Sequence, residues 1–400
     1  MDIHKVRAQF PALLRRQDGK PVIHLDGPGG TQVPQTVIDA MSRPLAEGQS
    51  NLGGPFSSSA ESDQVVDDAR SAVADLLNAN SDEVAFGQNM TSLTFAVSRA
   101  IASTWQPGDE IVLTRLDHDA NVAPWLRAAE ERGVTVKWVG VQDFGINWDD
   151  LDAAIGSSTR LVAVTAASNA LGSVVDVAEV ARRAHDVGAL VYVDGVHYVP
   201  HESTDVAAFG ADFFVCSAYK FYGPHIGLLY GKREHLRTLP AYKVRPAPDT
   251  GPGRWETGTQ SFESIAGVVA TVDYLAAFGE GHDRRQKLVS AYEKIGQHER
   301  RLSDRFLSGL AELDGIKLHG RREGRRTPTF ALEFPRQKPR DVAVELARQG
   351  IYVTDGDYYA VEVMRSLGQA DSGGLVRIGF VHYSTEEEVD QTLNALDRLS

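Results

Sequence analysis

Leu190-Val191-Tyr192-Val193-Asp194-Gly195-Val196-His197 is an apolar run that stops at an acid. A second run, Asp212-Phe213-Phe214-Val215-Cys216-Ser217, leads into Ala218-Tyr219-Lys220-Phe221-Tyr222-Gly223-Pro224. Unbroken Val and Phe without polar alternation predict strands buried on both faces, as in a parallel sheet covered by helices. The same signal recurs upstream at 82–87, 110–114, 134–139 and 161–165, and downstream at 227–230. Helical spacing of apolar residues fills the gaps at 65–78, 121–132 and 177–187. The alternation predicts an α/β fold with a large, mostly parallel seven-stranded sheet.

In such a sheet, ligands sit beyond the carboxyl ends of the strands. Asp194 at one strand end and Lys220 just past the next can therefore face one pocket. That pair suits pyridoxal phosphate, with lysine forming a Schiff base and the carboxylate keeping the pyridinium nitrogen protonated. Two plainer readings stand beside it: an Asp after a strand commonly caps a turn, and a Lys beside Gly-Pro commonly sits in a solvated loop.

Further out, 242–258 is crowded with Pro246, Pro248, Gly251, Pro252, Gly253 and Gly258, which predicts a long ordered loop. Beyond it the pattern becomes α+β. Helices are expected from 262 to about 313, at 339–348 and at 385–399, with strands at 316–318, 329–334 and 351–354. The expected organisation is an amino-terminal arm (1–20) joining the smaller unit, a large cofactor-binding domain (21–257) and a small carboxyl-terminal domain (258–400).

The 400 residues carry 41 basic and 54 acidic side chains, a net charge of −13. No basic cluster offers a nucleic-acid face. A single cysteine excludes a disulfide framework and any Cys-cluster metal site. No apolar run approaches a membrane span, and no signal core opens the chain, so the expectation is cytoplasmic, with no membrane and no bound metal. GxGxxG, Walker A, GxSxG and HExxH are all missing.

Six further blocks lie in order along the chain. They are His24-Leu25-Asp26-Gly27-Pro28-Gly29-Gly30, Gln88-Asn89-Met90-Thr91-Ser92, and His118-Asp119-Ala120-Asn121-Val122-Ala123-Pro124-Trp125. Then come Ser168-Asn169-Ala170-Leu171-Gly172, Arg254-Trp255-Glu256-Thr257-Gly258-Thr259 and Val376-Arg377-Ile378-Gly379. With the Asp194 and Lys220 segments, these resemble the class V aminotransferase group of fold-type I pyridoxal-phosphate enzymes, and within it the cysteine desulfurases. The resemblance runs over nearly the whole chain. It implies that Lys220 holds the cofactor, Asp194 supports it as electron sink, and His118 stacks on its ring. It implies a phosphate site of Met90, Thr91, Ser217, Tyr219 and a Thr259 supplied by a second subunit of a homodimer. His197 falls near the ring oxygen, Asn169 among the cofactor contacts, and Gly29, Gly30, Tyr359 and Arg377 on the substrate side, Arg377 for the carboxylate of an amino acid. For single residues the plain alternatives remain: His118 as a cap, Asn169 as a turn residue, Arg377 as half of a structural ion pair.

One departure bears on the reaction. Desulfurases carry a nucleophilic Cys in a Gly-x-x-Cys loop before the last arginine, and the matching position in Gly356-Asp357-Tyr358-Tyr359 is Tyr359. A phenol cannot carry a persulfide, and Cys216 lies within an apolar strand. The expected reaction is β-elimination from an S-substituted cysteine through a quinonoid. Aminotransfer, epimerisation or another quinonoid outcome comes second, then desulfuration, then an inactive scaffold. The substrate itself is not legible.

Overall fold

The protein is described by a computed structural model covering residues 1–399. The larger sheet has seven strands: β1 Val84–Gly87, β2 Glu110–Thr114, β3 Thr135–Val139, β4 Thr159–Thr165, β5 Leu190–Asp194, β6 Phe213–Ser217 and β7 Gly227–Gly231. Their spatial order is β1-β7-β6-β5-β4-β2-β3. All neighbours run parallel except β7, which is antiparallel to both β6 and β1. The continuous apolar strands explain this placement, because successive residues must serve opposite faces. Val191 and Val193 enter a core shared with helices Ser57–Leu77 and Val177–His185. Tyr192 between them joins the opposite core, with Met90–Ala102 and Ala123–Arg132. Each such fully buried side chain contributes roughly 1.5–3 kcal/mol relative to exposure.

The smaller sheet comprises β8 Lys317–His319, β9 Thr329–Glu333, β10 Thr354–Gly356 and β11 Leu375–Gly379, ordered β8-β9-β11-β10 and antiparallel throughout. The strand expected at 351–354 is in fact two. Ile351–Tyr352 pairs parallel with Ile23–His24, while Thr354–Gly356 turns to pair with β11. Apolarity alone does not register a change of partner.

Packing also cuts across chain position. Helix Phe262–Ala276, read from sequence as opening the second unit, buries Ile265, Val268, Val272 and Leu275 in the core of the larger sheet against Ser57–Leu77. Conversely, Ile23 and Leu25 belong to the core of the smaller sheet, beside Phe306, Phe330 and Phe380. Arg7 ties the amino-terminal segment to the carboxyl-terminal unit, donating to the Tyr383 carbonyl at 2.7 Å and pairing with Glu388 at 2.9 Å. Among the described residues no helix is long and apolar enough to cross a membrane.

Candidate active site

The carboxyl ends of β2, β4, β5 and β6 open on a cavity of about 660 Å³, closed from the other side by the smaller sheet and by the turn at Pro28–Gly29. Local sequence explains each contribution. Gly195 lets the end of β5 approach its neighbour, since a Cβ there would lie 1.8 Å from the Phe214 ring. The turn after β1 runs into helix Met90–Ala102, where the Asn89 side chain accepts from the Ser92 amide in a capping box. Gly227 of β7 makes room for that turn, because a Cβ would come within 2.4 Å of the Asn89 backbone. The first helical turn thus presents Met90 and Thr91 to the cavity, a place suited to a phosphate.

Lys220 lies in the short turn Ala218–Lys220 and donates from Nζ to the carbonyls of Pro28 at 2.6 Å and Gly29 at 3.0 Å. Burial, and then the Arg377 charge, lower its amine to about 7, against a smaller opposing pull from Asp194. Asp194 is buried and accepts the Val196 amide at 2.8 Å; burial raises its carboxyl to about 6, offset by that bond and by Lys220. Behind it stands a second buried acid, Asp117, raised to about 8 chiefly by burial. His118 accepts the Ala120 amide on Nδ1 at 3.0 Å, so its hydrogen sits on Nε2. Burial, Lys220 and Arg377 hold this ring neutral, with a value near 4.

Arg377 on β11 is only 4% exposed. Its Nε donates to the Thr354 hydroxyl at 3.1 Å and its Nη1 to the Asn169 carbonyl at 3.0 Å, and the Tyr358 ring lies 4.5 Å from its guanidinium carbon. Among the described residues no carboxylate pairs with it, so the structural ion pair is not what it serves. Asn169 donates to the Tyr358 carbonyl at 3.0 Å, and its own side-chain oxygen is buried without a partner. An unpaired buried cation and an unpaired buried acceptor facing one cavity are costly unless a ligand completes them.

Most of the residues expected at the site meet here: Lys220, Asp194, His118, Met90, Thr91, Asn169, His197, Tyr219, Gly29, Tyr359 and Arg377 all line the cavity. His197 is anchored on Nε2 by the Thr327 and Thr329 hydroxyls at 3.1 and 3.0 Å. Tyr219 stacks on His225, with centroids 4.7 Å apart, and Gly30 lies against the Tyr219 ring rather than in the lining. Ser217 stands one layer back and accepts the Met90 amide at 2.9 Å. Thr259 is not brought to this cavity. It lines a separate surface hollow with Leu52, Val244 and Phe262. Cys216 is wholly buried on the core side of β6, and burial, with the Asp194 charge, pushes its thiol well above the usual range.

Sequence reasoning missed the carboxylates at the rim, Asp119, Asp355 and Asp357, and the apolar wall at Phe95. The only signal available was their adjacency to His118 and Tyr359. Tyr358 and Tyr359 both adopt the left-handed region, at φ 55° and 56°. The loop is held by its backbone: Asp357 accepts the Tyr359 amide at 2.9 Å, and the Asp119 amide donates to the Tyr359 carbonyl at 2.6 Å. The Tyr359 ring, 70% exposed, stacks on His118 with centroids 5.5 Å apart.

The family model for aminotransferase class-V matches residues 23–392. An aminotransferase-like protein of Gibberella zeae is 34% identical over 410 residues, covering 99% of this chain and 98% of that protein. A cysteine desulfurase of Dickeya dadantii is 32% identical over 414 residues, covering 99% and 96%. The solved structure of a cysteine desulfurase from Thermococcus onnurineus NA1 superposes with a TM-score of 0.89 at 27% identity, covering 99% of this chain and 97% of that one.

Proposed function

The chain belongs to the class-V aminotransferase family, and from that premise we propose that it is a pyridoxal-phosphate lyase that breaks the C–S bond of an S-substituted cysteine. Bound pyridoxal phosphate supplies an electron sink for the substrate's Cα and an aldehyde for its amine. The residues present fit that group. Lys220 is an amine already lowered into the neutral range, Asp194 is a buried acid, and the Asn169 oxygen awaits a donor. Met90 and Thr91 would hold the phosphate at their helix N-terminus, with Ser217 and Tyr219 beside them.

Arg377 would take the α-carboxylate, since its guanidinium is buried and has no acidic partner. Lys220, whose amine would hold the cofactor at rest, would take the Cα proton of the bound substrate. The β-carbon then loses its sulfur, which departs with the electron pair as a thiol. One water is consumed, and pyruvate, ammonia and the thiol are produced in equal amounts. His118, neutral at its Nδ1, offers a flat uncharged face against the ring. Asp194 supports positive charge at the far side.

The observation that carries the reading is Tyr359 at the place where a nucleophilic thiol would stand, with the sole cysteine buried in the sheet. Elimination needs a base and a carboxylate clamp but no thiol. A second reading, amino-group transfer, draws support from the aminotransferase-like name of the Gibberella zeae relative. The deciding experiment incubates the holoenzyme with S-alkyl cysteines. Pyruvate without any added amino acceptor supports elimination; a keto acid that forms only when an acceptor is supplied supports transfer. Persulfide on Cys216 would overturn both.

A further inference from the structure

The rim of the cavity carries negative charge that the protein leaves unanswered. Glu362 is neutralised by Arg115 and Arg365, and Asp355 by Arg340 at 3.1 Å. Asp119 and Asp357 form no ion pair among the described residues, although both line the cavity. Asp357 spends one oxygen on the Tyr359 amide. Asp119 is partly buried, and burial, then Glu362 and Asp357, raise its carboxyl above the usual range against a smaller opposing pull from Arg365, so like charges outweigh the one cation nearby. The backbone of Tyr359 is bonded to both residues, to the Asp357 carboxylate and the Asp119 amide, and its exposed ring is stacked on His118.

Carboxylates around an aromatic face are the chemistry of cation recognition. Deeper in the same cavity, under the Tyr358 ring, Arg377 is a buried guanidinium without an acidic partner. The two features therefore call for opposite charges in one ligand, an anion inside and a cation at the rim.

We infer that the substrate is an amino acid whose side chain ends in a cationic group, held by Asp119 and Asp357 against the Tyr359 ring while Arg377 holds the α-carboxylate. This rests on the reading of the cavity as an amino-acid site. On the elimination reading, the class is an S-substituted cysteine with an ammonium or guanidinium on the departing thiol.

Three S-conjugates of similar size separate the charges: S-(2-aminoethyl)-L-cysteine, S-propyl-L-cysteine and S-carboxymethyl-L-cysteine. Dissociation constants come from the absorbance change of the cofactor in the holoenzyme, and pyruvate release is followed separately. The aminoethyl conjugate is expected to bind about tenfold or more tightly than the propyl one, with the carboxymethyl conjugate weakest. In the D119N/D357N double variant that preference should collapse, and D357K should turn it toward the carboxymethyl conjugate. Asn at 357 keeps an acceptor for the Tyr359 amide, so the loop is retained. Equal or weaker binding of the aminoethyl conjugate overturns the inference, as does a preference that persists in the double variant. If the aminoethyl conjugate binds best yet no conjugate yields pyruvate, elimination falls and cation recognition stands. If all three yield pyruvate with equal efficiency and bind alike, the reverse holds.

Discussion

Two carbonyls around Lys220 favour its cation, whereas attack on an aldehyde requires its neutral amine. A value near 7 places it between these states, with burial as the main cause and Arg377 as the second. Between pH 6 and 8 its neutral fraction therefore climbs about tenfold, since each step beyond the midpoint changes the minor form tenfold. The rate at which apoprotein captures pyridoxal phosphate, read from the new absorbance band, should rise by that factor over the window. A hundredfold rise would instead assign the amine its ordinary value near 10.5. Lys220→Ala should form no such covalent band and show no turnover while its unfolding transition stays unchanged.

Asp117 poses the opposite case. Its folded value, raised by burial to about 8, lies above its unfolded value near 4. Between those limits the native state binds a proton that the unfolded chain has lost, so stability falls as pH rises toward 8. Asn cannot ionise, and it still accepts from Asn121, which bonds Asp117 at 2.7 Å. Asp117→Asn should flatten the dependence of Tm on pH from 5 to 8 and raise Tm at pH 8. An unchanged slope would place the titration elsewhere.

Among the elements, the turn into helix Met90–Ala102 is the one whose position matters most, because it aims Met90 and Thr91. It is pressed against Gly227, and a methyl group there meets the Asn89 backbone rather than a side chain that could swing away. Gly227→Ala should therefore cost roughly 1–3 kcal/mol by denaturant unfolding. It should also weaken pyridoxal phosphate more than phosphate-free pyridoxal, because the phosphate turn is what moves. Strands such as Glu110–Thr114 and helix Pro339–Arg348 were legible residue for residue, since burial on both faces and a clean amphipathic stripe leave direct marks in sequence. The split at Val353 was not, because the second half, Thr354-Asp355-Gly356, carries no strand pattern of its own and is defined only by its partner. At the site, Lys220, Asp194 and Arg377 were legible from strand ends and flanking blocks. The rim acids were not: Asp119 and Asp357 gain meaning only when residues 119 and 357–359 fold against one another, which no spacing announces.

At the scale of the molecule, the cavity lies where two sheets meet, and Thr259 faces away from it into another hollow. Leu52, Phe56 and Val244 are exposed around that hollow or next to its lining. We propose that a second copy of the chain covers this face and brings Thr259 to its partner's phosphate. Mixing inactive Lys220→Ala and Thr259→Ala chains, after dissociation and reassembly, should then restore about a quarter of the sites, since half the dimers are mixed and each has one intact site. Full activity in a strictly monomeric protein would refute the arrangement.

The left-handed pair at Tyr358 and Tyr359 has a consequence for how such a protein changes its trade. Two non-glycine residues at positive φ cost of order 1 kcal/mol or more apiece, and the loop meets that cost with bonds to main-chain atoms, from Asp357, Asp119 and Asn169. None of those bonds involves the side chain at 359. The loop is thus a socket whose fitting can be exchanged without rebuilding the wall around it. A single codon change, Tyr359→Cys, would set a thiol beside His118 in a protein whose other sulfhydryl is sealed away.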